Sequence, residues 1–506
     1  MRILYLDLDA LTPSHLGCYG YCRDTSPNID RVAAEGARFT NVYAADAPCL
    51  PSRTGLYTGR FGIQTGVVGH GGRAAQMRVE PEGVRGFRDL IGTDGLAAKL
   101  RAAGFKTSMI SPFGERHSAH WFYAGFNEVH NTGKGGMEDV QDVEPVVDRW
   151  LDTNAASDNW FLHVNFWDIH TPYRVPMDYG EPFADQPIPE WYTDDLIEQH
   201  TRRGGPHSAT DLGMYGDSDP SKHPRVPKRI TDRQSLIKWL DGYDTAIRYV
   251  DDSLGRLFDK LKAMGVFDDT AIIISADHGE NHGELGIYGE HGTADHGTCN
   301  IPMIIKWPDV AKPGHVCDGL HYQLDLAPTL MDLVDGNKSD VWDGASYVDA
   351  IKGGTSGHDE LVISQCAHVC QRSVRWNDGD RKWLYMRTYH DGFHPFGPEM
   401  LFDLATDPHE QNDLAASESA ACGEGARRLS LWHQKQMRRV AERYPHDPVD
   451  PMQLVLADGG PFHAQHAGEG GQPTHIGGLT VYLDRLRSTG RGDYADELER
   501  RYLAAT

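Results

Sequence analysis

Short apolar runs alternate with helix-patterned stretches from Ile3 to Val334, and several of the runs lead straight into Asp or His. Ile3–Leu8 reads as a buried strand ending in Asp7-Leu8-Asp9. Ser26 and Pro27 supply an N-cap and a first helical proline, and Gly36 stops a helix over Asn28–Glu35. Leu96–Ala103 is helical and ends at Gly104; Lys106–Ser111 follows as a strand. Trp160–Trp167 is another strand, leading into Asp168-Ile169-His170-Thr171-Pro172. Ser235–Met264 places Leu236, Leu240, Tyr243, Ile247, Val250, Leu254, Leu257 and Leu261 at helical spacing and stops at Gly265. Thr270–Ser275 is a β-rich run followed by Asp277-His278-Gly279; Pro302–Trp307 is a strand and Asp325–Val334 a short helix. The alternation predicts an α/β fold: a large mixed, mainly parallel sheet sandwiched by helices. Polar residues just past C-terminal strand ends mark the ligand edge of such a sheet.

The 506 residues suffice for a large domain and a smaller one. The composition turns loop-like around Gly353–His358, which divides the chain into a catalytic domain over 1–355 and a smaller C-terminal subdomain over 356–506. In the second part Leu361–Ser364, Arg372–Trp376 and Lys382–Arg387 read as short strands of an antiparallel sheet. A basic amphipathic helix (Arg427–Arg443), a Gly/His-rich loop (Gly459–Gly478) and a final helix follow. Residues 176–232 are rich in Pro, Gly, Asp and His, and are expected to run as a long excursion over one face.

A net charge of -24 argues against nucleic acid as a partner, and leaves any anion site to local donors such as Arg, His, metal and helix N-termini. No stretch approaches the ~20 apolar residues of a membrane span. Met1-Arg2-Ile3-Leu4 enters a strand at once, so a cytoplasmic protein is expected. Eight scattered cysteines agree with a reducing compartment. Cys366 and Cys370 have the spacing of half a zinc site, but no second pair follows. The acidic chain and long tail are compatible with a homo-oligomer.

Cys49-Leu50-Pro51-Ser52-Arg53 with Thr58-Gly59-Arg60 resembles the signature of type I sulfatases, in the alkaline-phosphatase-like superfamily. Asp9-Ala10, Leu16-Gly17-Cys18-Tyr19-Gly20 and Thr25-Ser26-Pro27-Asn28-Ile29-Asp30 resemble that family's opening, and Leu401-Phe402-Asp403-Leu404 with Asp407-Pro408 a segment near its end. The resemblance implies that a formylglycine-generating enzyme converts Cys49 to an aldehyde whose hydrate is the nucleophile. It also implies a divalent cation held by Asp9, the modified Cys49, Asp277 and His278: calcium first, with magnesium and manganese next. The family's second aspartate falls on Ala10, and Asp7, on the same strand face by alternation, is the candidate replacement. His282, His291 and His296 keep zinc in view.

Cys49 opens a helix, with Pro51 in its first turn, so the nucleophile sits at a positive helix end, and Arg53 lies one turn on along the same face. By resemblance, His170 contacts the sulfate or leaving oxygen. His291 protonates the leaving alcohol, with His296 as competitor. The family's Gly-Lys-x-His is replaced here by Ser111-Pro112-Phe113-Gly114-Glu115-Arg116-His117, so Arg116 and His117 (or His120) are expected to supply the cation and the second base. Trp376, Arg387, Tyr389, His390 and His394 are candidates for the entrance.

The expected function is sulfuric ester hydrolysis of a small sulfated sugar, alcohol or aryl compound. The alternatives are a phosphonate monoester or phosphodiester hydrolase using the same aldehyde, and an unmodified, non-catalytic binder of sulfate esters.

Overall fold

The computed structural model describes residues 1–79, 90–462 and 476–503. Its strands, in chain order, are β1 (Arg2–Leu8), β2 (Ala37–Tyr43), β3 (Asp46–Ala47), β4 (Lys106–Ile110), β5 (Glu128–His130), β6 (Trp160–Phe166), β7 (Thr270–Ser275), β8 (Asn300–Lys306), β9 (His315–Tyr322), β10 (Glu360–Gln365), β11 (Cys370–Asp378), β12 (Arg381–His390) and β13 (Glu399–Asp403). The larger sheet runs in the order β5-β4-β6-β1-β7-β8-β2-β9. Its pairs are parallel except at β8, which opposes both β7 and β2. β1, β6 and β7 are buried on both faces, apart from Arg2, as apolar parallel strands must be when helices cover both sides.

Helices Pro27–Glu35, Val140–Asn154 and Arg233–Ala263 pack together on one side; Cys49–Thr58, Leu96–Ala102 and Leu326–Leu333 group on the other. The predicted stripe of the long helix, Leu236 through Leu261, is buried throughout. Asp232 caps that helix by accepting from Ser235 N, while the Ser235 hydroxyl answers the Asp232 N–H. Because β6, β1 and β7 are adjacent and parallel, the residues after each of them emerge at one edge, bringing Asp9, His170 and Asp277 together.

The second sheet runs β13-β12-β11-β10-β3, antiparallel except where β3 joins β10. Asp46–Ala47, two residues before Cys49, therefore forms the edge of the C-terminal sheet, so that sheet draws on both ends of the chain. The excursion over 176–232 contains a helix, Asp194–Arg202, capped by Thr193. The predicted basic helix starts earlier than Arg427, at Ser419. Of the Gly/His-rich loop, residues 463–475 lie outside the described residues. Among the described residues no helix is long and apolar enough to cross a membrane.

Candidate active site and metal centre

All ten residues of the helix Cys49–Thr58 are buried. Gly59 ends it in the left-handed region (φ 64°), where a Cβ would stand 2.6 Å from the Trp342 ring. Cys49 Sγ lies 3.1 Å from His278 Nε2. His278 Nδ1 donates to Gly279 O (2.8 Å), which leaves the Nε2 lone pair aimed at the cluster. That nitrogen is 3.3 Å from Asp277 Oδ2 and 4.0 Å from Asp9 Oδ1. Asp9, Cys49, Asp277 and His278 each offer one ligand atom, all within 4.8 Å of one another. Cys49, His278 and His291 form a second such group.

Arg53 organises the carboxylates. Its Nε donates to Asp7 Oδ2 (2.8 Å), Nη1 to Asp277 Oδ2 (2.7 Å) and Nη2 to Asp9 Oδ2 (3.0 Å). Its guanidinium lies 4.8 Å from the Phe113 ring and 5.3 Å from the Trp167 ring. Tyr57 Oη donates to His163 Nδ1 (2.6 Å), and His163 Nε2 to the same Asp7 oxygen (3.1 Å). Asp7 thus stands in the arginine–histidine network and does not join the four-residue ligand group. Burial opposes the Asp7 charge, but Arg53 and His163 outweigh it and hold its carboxyl at about 2. Burial raises Asp277 to about 6, with Asp9 adding to the rise and Arg53 opposing it.

Three carboxylates against one guanidinium, all out of water, leave an excess of negative charge that a divalent cation would neutralise. Asp9 Oδ1 is buried with no hydrogen-bond partner. The donor set therefore fits a cation. Ala10 brings no carboxylate; its N–H donates to Asp277 Oδ1 (3.3 Å) from a left-handed backbone (φ 61°).

The His291 ring stacks 4.2 Å from His278 and lies 5.0 Å from His170. His170 Nδ1 donates to Thr171 O (2.6 Å), so Nε2 is its free nitrogen. His291 Nδ1 has no partner within hydrogen-bond distance and lies 3.8 Å from Glu280 Oε2, a buried carboxyl that burial pushes well up. Gln365 Nε2, from β10, donates to His291 O (3.0 Å) and so ties the second sheet to the site. His117 packs between Phe113 and His70, with Nε2 buried and unpartnered; burial and Arg116 lower its pKa to about 3. Arg116 lies 5.0 Å from the Trp167 ring.

Other sequence candidates lie elsewhere. His296 Nδ1 pairs with Tyr43 Oη (2.8 Å), and His282 Nδ1 accepts from Trp239 Nε1 (3.2 Å), so neither joins His291 in a ligand group. His120 is exposed, and Trp376 is buried in the second sheet's core. Cys366 and Cys370 have sulfurs 3.3 Å apart, and among the described residues no third ligand joins them. His163, Tyr57 and Glu280 escaped the sequence reading. Glu280 stands two residues after His278, but His163 lies mid-strand, where only pairing with β1 reveals it.

The sulfatase family model matches residues 2–336, well over half of the chain. The chain belongs to the sulfatase family. A second model, N-sulphoglucosamine sulphohydrolase, C-terminal, matches residues 283–424. The choline-sulfatase of Rhizobium meliloti (strain 1021) is 25% identical over 429 residues, covering 77% of each chain. A solved complex of a protein with its substrate D-glucosamine-2-N,6-O-disulfate superposes with TM-score 0.67 at 18% identity, covering 86% of this chain and 97% of that one. The phosphonate monoester hydrolase of Agrobacterium radiobacter superposes with TM-score 0.62 at 19% identity, over 86% and 96%. The chain's chemistry is sulfatase-type hydrolysis of a sulfate ester, beside a buried Cys/His/Asp cluster able to hold a divalent metal.

Proposed function

We propose that the chain hydrolyses a sulfate monoester of a small sugar, or of another small alcohol or aryl compound, through a formylglycine made from Cys49. The observation that carries this is the contact of Cys49 with the Asp9–Asp277–His278 group under the Arg53 fork. The aldehyde hydrate supplies an oxygen nucleophile at the helix N-terminus. Asp9, Asp277, His278 and residue 49 would hold one divalent cation, and such an ion would supply Lewis-acid neutralisation of the charge that develops on the ester. Carboxylate donors favour Ca2+, with Mg2+ and Mn2+ next, and the His278 imidazole weighs toward Mn2+.

In this reading Arg53 fixes the carboxylates, and Asp7 holds Arg53 rather than the cation. His291 carries the proton to the leaving oxygen, and His170 contacts the sulfate or leaving oxygen through Nε2. His117 receives the proton that releases sulfate from residue 49, with Arg116 as a nearby cation. Cys49 is 1% exposed, so a formylglycine-generating enzyme would reach it before folding is complete. The choline-sulfatase relative and the solved complex with a sulfated glucosamine support a small sulfated substrate. Eight free thiols support a reducing compartment such as the cytoplasm.

The test compares turnover of an aryl sulfate and a phenyl phosphonate ester by chain coexpressed with the modifying enzyme. Faster sulfate turnover, abolished in Cys49→Ser, is expected. A preference for the phosphonate would move the chain to the hydrolase reading, and undiminished activity of Cys49→Ser would overturn the mechanism.

A further inference from the structure

We propose that Arg116 and Arg174 form a second anion subsite beside the nucleophile, so that the preferred substrate carries another negative group besides the ester that is cleaved. This deepens the sulfate-ester reading above and rests on it.

The topology places the two arginines together. Arg116 follows β4 and Arg174 follows β6, its neighbour; the loop after β5, the next strand out, supplies Gly135 and Gly136. Arg116 Nη1 donates to Gly135 O (3.0 Å), and Arg174 Nη2 to Gly136 O (3.5 Å) and Trp167 O (2.9 Å). Arg174 Nη1 also donates to Pro172 O (3.3 Å). The Trp167 ring links the pair to the catalytic edge, with Arg116 at 5.0 Å and Arg53 at 5.3 Å from its centroid. The His170 ring stands 6.3 Å from Trp167 and 5.0 Å from His291, between the arginine pair and the ligand group.

What the pair lacks is an acceptor with charge. Among the described residues neither arginine makes an ion pair, although the chain holds 73 acidic residues against 49 basic ones. The carbonyls they meet carry no countercharge. Arg116 Nε, Arg174 Nε and Trp167 Nε1 are all buried donors with no partner. Asp168 is the carboxylate that acts most strongly on Arg174, and its Oδ2 is buried without a hydrogen-bond partner, yet among the described residues it makes no ion pair with either arginine. Glu138 accepts from Thr132 Oγ1, Lys134 N and Gly136 N, and Asp168 Oδ1 accepts from Val140 N (3.1 Å). Two like charges held close together and partly out of water repel, and a bridging oxyanion relieves both. Arginine suits that task because its planar fork grips carboxylate or sulfate oxygens in pairs. The excess negative charge under Arg53 and the excess positive charge at Arg116 and Arg174 thus divide the edge between cation and substrate.

The test measures affinity in the Cys49→Ala chain, so that its outcome is independent of turnover. Phenyl sulfate, 4-carboxyphenyl sulfate and benzene-1,3-disulfate are titrated calorimetrically. At least one dianionic ester is expected to bind about tenfold or more tightly than phenyl sulfate, and the tighter of the two names the second group. Arg174→Gln in the same background is expected to collapse the ratio toward one, while Arg174→Lys keeps part of it. A ratio near one before mutation, no binding of any ester, or an equal loss on all three esters in Arg174→Gln would overturn the subsite. A retained ratio in a chain whose wild type never cleaves sulfate would sink the hydrolytic reading and leave this one standing.

Discussion

Two buried arginines answer the same problem in opposite ways. Arg372, on β11, meets Asp450 through two parallel bonds (2.7 and 2.9 Å), and His433 Nε2 adds a third contact to that carboxylate (2.9 Å). Burial opposes the Asp450 charge, but Arg372 and His433 outweigh it and hold the carboxyl below its ordinary range. Charge there is balanced within the chain, and the clamp fastens the segment before Pro451–Ala457 to the second sheet. Arg53 is buried just as completely, yet it faces Asp7, Asp9 and Asp277 at once. The first arrangement is complete as folded; the second calls for a cation. Burial alone does not separate a structural ion pair from a site, whereas the balance of charge within reach does.

The largest effect separating the two regions is on turnover. Asp9→Asn removes one negative charge from the carboxylate cluster and is expected to lower kcat/KM for an aryl sulfate by roughly 10²–10³-fold, in line with losing an electrostatic group at a reacting centre. Arg372→Gln is expected to leave the turnover of the folded fraction near wild type.

On stability the two arginines converge. Arg53→Gln and Arg372→Gln each strand buried carboxylate charge and are expected to cost about 3–5 kcal/mol in denaturant unfolding. Added Mn2+ or Ca2+ is expected to recover part of the loss in Arg53→Gln and none in Arg372→Gln. Equal recovery in both would erase the distinction.

Cation linkage gives a smaller signal. Saturating divalent ion is expected to stabilise the wild type by about 2.7 kcal/mol at a hundredfold excess over Kd. Arg372→Gln keeps that shift and Asp9→Asn loses it, as thermal melts with and without chelator would show.

The smallest effect is on pH dependence at a third, balanced contact. Burial opposes the Glu284 charge, but His409, 3.0 Å away, outweighs it and lowers the carboxyl from 4.5 to about 2. A depressed carboxyl stabilises the fold above its unfolded pKa, and that stabilisation fades as pH falls through the folded one. Stability is therefore expected to drop between about pH 4.5 and pH 2, by an amount of order 1–3 kcal/mol, and Glu284→Gln is expected to flatten that slope.

Much of this was legible in the sequence because its signals are local. The strand runs at Ile3, Trp160 and Thr270 and the stripe from Leu236 to Leu261 follow from periodicity. Asp9, His170 and Asp277 are singled out by the resemblance to the sulfatase motifs, and their places just past strand ends agree with the ligand edge of such a sheet. Alternation did place Asp7 and Asp9 on one face, and both reach Arg53. The sequence could not say that His163, inside β6, would pair with Asp7 and draw it away from the ligand group. That depends on which strand lies beside β1. Strands β2 and β9 and the helix Val140–Asn154 went unread because Arg38, Thr40 and Asn41 interrupt β2, polar His315 and Asp318 interrupt β9, and Pro145 sits inside the helix. The joining of Asp46–Ala47 to a sheet formed more than 300 residues later has no local signal at all. Arg174 looked ordinary in sequence, since only the fold shows that, among the described residues, it makes no ion pair.

The central claim, that Cys49 is the precursor of the nucleophile in this cation-seeking pocket, is tested most directly by the mass of the peptide that contains it. In chain purified from cells with the modifying enzyme, the peptide is expected to be lighter by the exchange of a CH2SH side chain for CHO, with sulfate-ester turnover rising in proportion to the converted fraction. Full turnover from a preparation in which every Cys49 retains its thiol would contradict the account.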